Sequence, residues 1–452
     1  MAGGGMSSGG VTTAGPALSK RQEYFAFALV TSLFFLWGFS YSLVDVLNKK
    51  VQHSFDISKL QSTVIQVCYF GAYFVYSVPA SLFASRFGYK KGILMGLSLY
   101  IVGALLFWPA AHYAVFWPFP VCAFVIACGL ATLETMANSY VTVLGSPERA
   151  AFRLNFAQAF NGLATFIGPQ IASHTFLKDD SKDLSQLGFV YLGVACLGGL
   201  VFLLFLFAKL PEIREDALEE AQANAGYVDE RPLWKRKHTV FGFGAQFAYV
   251  GAQVTVATFV MNYLTDKGAF GTQKAAQFFS YMQIVFMVSR FISIPVVRYI
   301  NPALCLVFYG ALCTGFSLMA AFTSGKVGMA ALFIVFFGES IVYPTIFTLA
   351  TSNLGKHTKR GAGLLCMGVS GGAVYPPIQA ALADAKGTEL SYVIPGAIGF
   401  PAVCVFGISM YIYQRRIAAI TSGQTAGLEG TLARNDSYGK DDKEEVEEVE
   451  RS

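Results

Sequence analysis

The chain has 452 residues, of which 54% are hydrophobic and 13% charged, and its formal net charge is +5. Soluble globular chains carry about 25% charged residues, so the composition excludes an ordinary water-soluble domain and makes lipid the solvent of much of the surface. The basic residues sit mostly in short loops, which removes the case for a nucleic-acid partner. The eight cysteines (68, 122, 128, 196, 305, 313, 366 and 404) all lie in apolar stretches without a CxxC pair, so neither a disulfide framework nor a zinc site is expected.

Residues 1–23 read as a disordered cytoplasmic tail. Its first 18 residues are rich in Gly, Ser, Thr and Ala and lack the charged-then-apolar order of a cleavable signal. Twelve apolar segments follow, each long enough to cross a hydrocarbon core of about 30 Å. The first six are predicted near 24–47, 61–83, 92–112, 116–142, 154–176 and 187–208. The second six are predicted near 240–264, 277–298, 302–322, 328–352, 361–383 and 391–413.

In the first span, Trp37, Tyr41 and Asp45 recur every four residues and Ser42 lies one step aside, so they share a helix face. An aromatic and hydroxyl face ending in a carboxylate suits a sugar or a proton; the alternative is an interfacial acid paired with Lys49 at i+4. Glu134, deep in the fourth span, shares a face with Asn138. A charge at the bilayer centre costs about 2.5–3.5 kcal/mol on insertion scales, so such a carboxyl needs a proton, a cavity or a partner. Glu134 is expected to hold and release a proton, or to act as neutral glue between helices. In the fifth span Gln158 and Asn161, three apart, present two amides to one side. They suit a hydroxyl-rich solute or a neighbouring helix equally.

The segment 209–239 holds the only long charged stretch between spans and divides them six and six, which reads as a cytoplasmic linker between two half-domains, 24–208 and 240–413. The seventh span carries Gln246, Tyr249 and Gln253 at helical spacing. Phe39, Tyr41 and Asp45 match Phe247, Tyr249 and Gln253 in spacing, and Glu134-Thr135 matches Glu339-Ser340, as a duplicated transporter would. Arg290 is the sole basic residue well inside a span. In the tenth span Glu339 shares a face with Tyr343, and a structural Arg290–Glu339 salt bridge is the leading expectation, ahead of a direct transport role. The eleventh span holds Gly371 and Gly372 ahead of Pro376-Pro377, a weakened ladder that marks either a gate or close helix packing. Residues 414–452 close in DDKEEVEEVERS and read as an acidic, disordered cytoplasmic tail.

Lysine and arginine number 19 on the segments facing the first tail and nine on the opposite loops, which predicts both termini inside. The five histidines lie in loops or at span ends, and no HExxH, P-loop, GxSxG or metal-spaced cluster occurs, so an enzyme is not expected and no cofactor is.

SRFGYKKG at 85–92 is similar to the loop signature of the major facilitator superfamily, with Ser85 where that pattern has an acid. FLWGFSYSLVDVL, LETMANSYVTVLG, FRLNFAQAFNG, AQFAYVGAQ, YPTIFTLATSNLG and the glycine-rich eleventh span, in that order, resemble the fucose:proton symporter family of that superfamily across nearly all of 24–413. The resemblance implies an all-α polytopic membrane protein with the major-facilitator fold, two six-helix bundles related by a pseudo-two-fold. It implies secondary active symport of a monosaccharide, L-fucose or a related hexose, with a proton, by alternating access. Asp45 and Glu134 would stand at the family's first-span aspartate and fourth-span glutamate, and Gln158 and Asn161 at its sugar-facing amides. Trp37, Tyr41, Ser42, Asn138 and Gln253 complete the expected substrate contacts; Arg290, Glu339, Tyr343, Gly371 and Gly372 are expected to be structural or gating. Where fucose permeases resemble an Asn-rich stretch before the first-span acid, this chain has Tyr41 and Ser42, which keeps glucose and galactose open beside fucose. The expected partners are sugar, proton and the lipid bilayer, with no obligate protein partner, and the expected location is the plasma membrane. An uncoupled sugar uniporter and a transporter-like sensor remain as alternatives.

Overall fold

A computed structural model of the chain describes residues 20–144, 150–178, 182–211, 232–266, 270–352, 354 and 357–421; the side chains of Asp45 and Lys49 lie outside that description. The first half comprises α1 (Lys20–Phe55), α2 (Lys59–Phe87), α3 (Tyr89–Tyr113), α4 (Pro118–Val143), α5 (Ala150–His174) and α6 (Ser185–Phe207). The second comprises α7 (Lys237–Asp266), α8 (Thr272–Tyr299), α9 (Pro302–Phe322), α10 (Gly325–Ala350), α11 (residues 358–386) and α12 (residues 388–421). All twelve expected spans coincide with these helices. The helices overrun the apolar cores at their ends: α1 begins inside the expected first tail and extends to Phe55, and α12 continues to Thr421. Most of the expected linker (212–231), the acidic end of the last tail and residues 1–19 lie outside the described residues.

Among the described residues ten helices are both long and apolar enough to cross a membrane, and α5 and α11 have the length but are more polar. Their position explains the difference, because both pack between other helices and need little lipid-facing surface. Among those ten the most interior are α1, α4, α7 and α10, with α4 buried over 83% of its apolar window, whereas α6 is buried over only 33%. The exposed face of α6 carries Leu200, Leu203, Leu204 and Phe207. In water that stripe would be an aggregation liability; against acyl chains it is the expected surface. The same periodicity of interior helices in both halves fits the six-plus-six reading.

Local chemistry sets the turns. Gly88 alone joins α2 to α3 at φ 91°, a left-handed conformation glycine adopts without a Cβ clash. Just beyond it, Lys90 Nζ donates to the carbonyls of Leu206 (3.0 Å) and Ala208 (2.8 Å) at the end of α6, where a cation meets unpaired carbonyls. Ser58 and Gln61 form a capping box at the start of α2.

Two interior helices are interrupted. In α10 the helix breaks at Ser340–Ile341. Pro344 has no N–H to give to the Ser340 carbonyl four residues back, so that acceptor is freed. In α11 a 3-10 turn at Gly368–Ser370 precedes the two glycines, and Pro376 and Pro377 sit within the helix that follows.

The halves meet at both ends of the bundle. On the face away from the termini, Lys59 Nζ at the start of α2 bonds Asp266 Oδ2 at the end of α7 (2.7 Å) and Thr388 Oγ1 at the start of α12 (3.0 Å). Thr388 Oγ1 donates to the same carboxylate oxygen at 2.8 Å, and the Leu60 amide reaches Asp384 Oδ2 at 3.4 Å. On the face that carries the termini, α11 abuts α2, where a Cβ on Gly363 would fall 2.6 Å from Ser81, and Lys359 Nζ lies 4.5 Å over the Tyr89 ring. Both routes to the centre are therefore bridged across the half boundary.

Candidate functional site

A cavity lies between the halves. Trp37 and Tyr41 of α1, Phe70 of α2 and Asn161 and Thr165 of α5 form one wall. Gln253 of α7, Gln283, Phe286 and Arg290 of α8, and Glu339 and Tyr343 of α10 form the other. The aromatic surface is positioned by packing: the Trp37 ring sits 5.9 Å from Tyr343 across the boundary, and Tyr41 meets Phe70 edge-on at 6.1 Å. The cavity is narrow, and the centre of a water molecule fits over only about 30 Å³ of it. The walls thus close to the width of a water or two, and a larger solute requires them to part.

A hydrogen-bonded chain runs beside the cavity and crosses the half boundary repeatedly. The Tyr343 hydroxyl donates to Glu134 Oε1 of α4, and Asn138 Nδ2 donates to that hydroxyl at 3.2 Å. Gln158 Nε2 donates to Asn138 Oδ1 at 3.4 Å. Arg290 Nη1 donates to the Gln158 carbonyl (2.7 Å) and to Gln158 Oε1 (2.8 Å), and reaches Asn161 Oδ1 at 3.5 Å. Arg290 Nε donates to the Ser340 carbonyl at 2.9 Å, the acceptor that Pro344 frees. The guanidinium also lies 4.4 Å over the Phe286 ring. A buried cation is costly unless its donors find acceptors, and here two carbonyls and two amide oxygens take up Nε and Nη1.

That arrangement corrects the expected Arg290–Glu339 salt bridge. Arg290 turns toward α5 because the freed Ser340 carbonyl and the Gln158 oxygens hold its nitrogens. The two ion pairs found among the described residues are Lys59–Asp266 and Lys182–Asp56, both at the face away from the termini. Glu339, 1% exposed, has its Oε1 buried without a hydrogen-bond partner.

Among the other expected site residues, Trp37, Tyr41, Asn161, Gln253, Arg290, Glu339 and Tyr343 line the cavity. Glu134, Asn138 and Gln158 lie behind that wall in the chain of hydrogen bonds. Ser42 does not reach the cavity: its hydroxyl donates to the Phe39 carbonyl at 3.1 Å, and it faces α5, where a Cβ on Gly168 would overlap it. Asp45 lies in α1 with its side chain outside the described residues. Gly371 and Gly372 are packing positions, since a Cβ would fall 1.9 Å from the Phe247 carbonyl oxygen at the first and 2.6 Å from the Phe70 ring at the second. The seventh-span trio separates: Gln253 faces the cavity, Tyr249 donates to the Glu339 carbonyl at 2.6 Å, and Gln246 is buried elsewhere.

Sequence reasoning missed Gln283, Thr165 and Phe70. Gln283 was detectable, as an amide inside an apolar span seven residues, or two turns, from Arg290 on the same stripe. Phe70 carries no such signal, because a core phenylalanine and a cavity phenylalanine look alike in sequence.

The chain matches the family model of the Major Facilitator Superfamily over residues 26–373. The glucose/galactose transporter of Brucella abortus biovar 1 (strain 9-941) is 36% identical over 399 residues, 86% of this chain and 95% of that protein. The L-fucose-proton symporter of Escherichia coli (strain K12) is 33% identical over 417 residues, 88% of this chain and 94% of that one. The crystal structure of the transporter FucP in the outward conformation matches with a TM-score of 0.70 at 31% identity, covering 86% of this chain and 99% of that one.

Proposed function

Because the chain belongs to the major facilitator superfamily and its fucose:proton symporter family, and is a sugar transporter of that superfamily rather than an enzyme, we propose that it carries a monosaccharide together with a proton. The halves 24–208 and 240–413 alternate around the central cavity, tethered by the linker 209–239. The observation that carries this reading is the cavity itself: aromatic faces and amides on both walls, flanked by the buried Glu134 whose hydrogen bond spans the two halves.

Trp37 and Tyr41 offer ring faces to the apolar side of a sugar, while Asn161 and Gln253 offer paired donors and acceptors to its hydroxyls. Glu134 and Asp45 carry the proton. In water-exposed open states Glu134 exchanges a proton; in the closed state the Tyr343 hydroxyl, itself held by Asn138, bonds its carboxyl, so protonation and closure are coupled through one hydroxyl. The substrate is L-fucose or a related hexose, with glucose and galactose suggested by relatives named for them. A proton entering down the membrane potential gains about 2.3 kcal/mol per 100 mV, enough for roughly a fiftyfold concentration ratio. The excess of basic residues on the linker side supports a cytoplasmic location for that face and both termini, in the plasma membrane.

The test is uptake of a panel of labelled monosaccharides by reconstituted vesicles with and without an inward proton gradient. One or more hexoses should accumulate above equilibrium only with the gradient. Equilibration unaffected by the gradient makes the protein an uncoupled uniporter, and saturable binding without uptake makes it a sensor.

A further inference from the structure

Among the described residues Glu339 is the one carboxyl that lines the cavity, and the hydroxyls of Tyr249 and Tyr392 and the thiol of Cys313 are committed elsewhere. Tyr249 gives its hydroxyl to the Glu339 backbone carbonyl rather than to its side chain (2.6 Å). Tyr392 donates to the Val256 carbonyl at 3.2 Å, and the Cys313 thiol to the Val335 carbonyl at 3.7 Å. Arg290, the nearby cation, is held by Ser340 and Gln158. Yet Glu339 Oε1 is buried and has no hydrogen-bond partner. A buried polar group left in this way is rare in folded proteins and is costly. Its side chain lies in the cavity wall together with Gln253 and Gln283.

We propose that Glu339 is the specificity-determining contact of the C-terminal half: its carboxyl pairs with one hydroxyl of the transported monosaccharide and supplies the partner the protein itself does not. This rests on the monosaccharide reading above and deepens it, since it assigns to a single carboxyl the choice among hexoses that differ at one hydroxyl. It also gives closure a preference for loaded cavities. A substrate hydroxyl satisfies an oxygen that otherwise stays unpaired when water is squeezed out, so the loaded transporter closes more readily than the unloaded one. Arg290, by contrast, has its Nε and Nη1 donors taken up within the protein and contributes to the join between halves.

The experiment is inhibition of labelled-sugar exchange by the series of monodeoxy analogues of the transported hexose, in wild type, Glu339→Gln and Glu339→Ala, with monodispersity in detergent as the control for folding. In wild type one analogue should bind about ten- to a hundredfold more weakly than the parent sugar through loss of the bond to Glu339. In Glu339→Ala that analogue and the parent should bind alike, with the remaining analogues keeping their wild-type ranking. Glu339→Gln, which retains an acceptor and adds donors, should restore part of the discrimination. A uniform weakening of every analogue in Glu339→Ala, or unchanged discrimination, overturns the assignment while leaving monosaccharide transport intact. If Glu339→Ala is not monodisperse, Glu339→Gln decides: unchanged discrimination overturns the proposal, and partial loss confined to the same analogue supports it. Absence of any monosaccharide exchange in wild type overturns the transport reading and this proposal together.

Discussion

Replacing Tyr343 with Phe removes one oxygen and leaves the ring packing against Trp37 in place. That oxygen is the junction of the cross-half chain: it donates to Glu134 Oε1 and accepts from Asn138 Nδ2 at 3.2 Å. Glu134 Oε2 already lacks a hydrogen-bond partner, so the substitution strips the carboxyl of its bond to α10. Asn138 keeps Gln158 on its oxygen but loses a nitrogen partner. A hydrogen bond to an ionisable group contributes about 1.5–3 kcal/mol, and a buried group left unpaired costs a comparable amount. The bond exists only while the halves are together, so its loss raises the closed state relative to states open on either side. Since exchange passes through the closed state, the rate of equilibrium sugar exchange should fall roughly ten- to a hundredfold, with sugar affinity in the open state changed far less. Labelled-sugar exchange in vesicles with equal sugar on both sides reads the rate, and binding to detergent-solubilised protein reads the affinity. Wild-type exchange in Tyr343→Phe would refute the view that this hydroxyl joins the halves at closure.

Arg290→Lys keeps the charge but replaces a fork that serves Ser340 and Gln158 with a single ammonium, so exchange should fall by at least about tenfold; a near-wild-type rate would show that charge alone suffices. Gly371→Ala pushes a Cβ into the Phe247 backbone carbonyl and should cost about 1–3 kcal/mol, seen as a lower melting temperature in detergent. Lys59→Ala breaks a partly exposed pair, of the kind worth about 0–1 kcal/mol, so transport should change less than about fivefold, while thiol labelling of a cysteine introduced near Asp384 should quicken. At the face away from the termini, the Lys182 hydrogen bond and charge hold Asp56 below the ordinary carboxylate value, and Ser185 does the same for Asp183 through its hydroxyl and amide. Stability from lowered carboxyl values is present above the unfolded value and is lost as pH falls through the folded one. These two groups therefore leave thermal stability flat from pH 7 to about pH 5 and erode it only below about pH 4. A melting temperature in Asp183→Asn that tracks wild type below pH 4 but falls short of it at pH 7 would bear this out.

Most of the spans were legible because lipid demands a long apolar stretch of a helix that faces it, which ten of the twelve helices show among the described residues. Their ends were less so: α1 and α12 continue well past their apolar cores, since helix persists in polar sequence once it is nucleated. Trp37, Tyr41, Asn161 and Gln253 were found as cavity residues because polarity inside an apolar span is expensive and therefore informative. Arg290 was correctly singled out and wrongly paired. Charge alone suggests Glu339, whereas the deciding partner is a backbone carbonyl freed by Pro344, and backbone acceptors are invisible to a reading of side-chain types. Ser42 failed for a related reason: one step along a helix turns a side chain by 100°, from the cavity toward α5. At Gly371 and Gly372 residue type alone does not separate gate from packing, and the close approaches to Phe247 and Phe70 show tight packing at both.

The central claim is that sugar and proton move together through this cavity. It is tested most directly by following external pH as the transported hexose is added to lightly buffered, de-energised vesicles. Coupled transport predicts alkalinisation of the medium upon sugar addition, abolished by a protonophore and by Glu134→Gln, with sugar exchange in that variant retained. Sugar entry at the wild-type rate with no movement of external pH would contradict it.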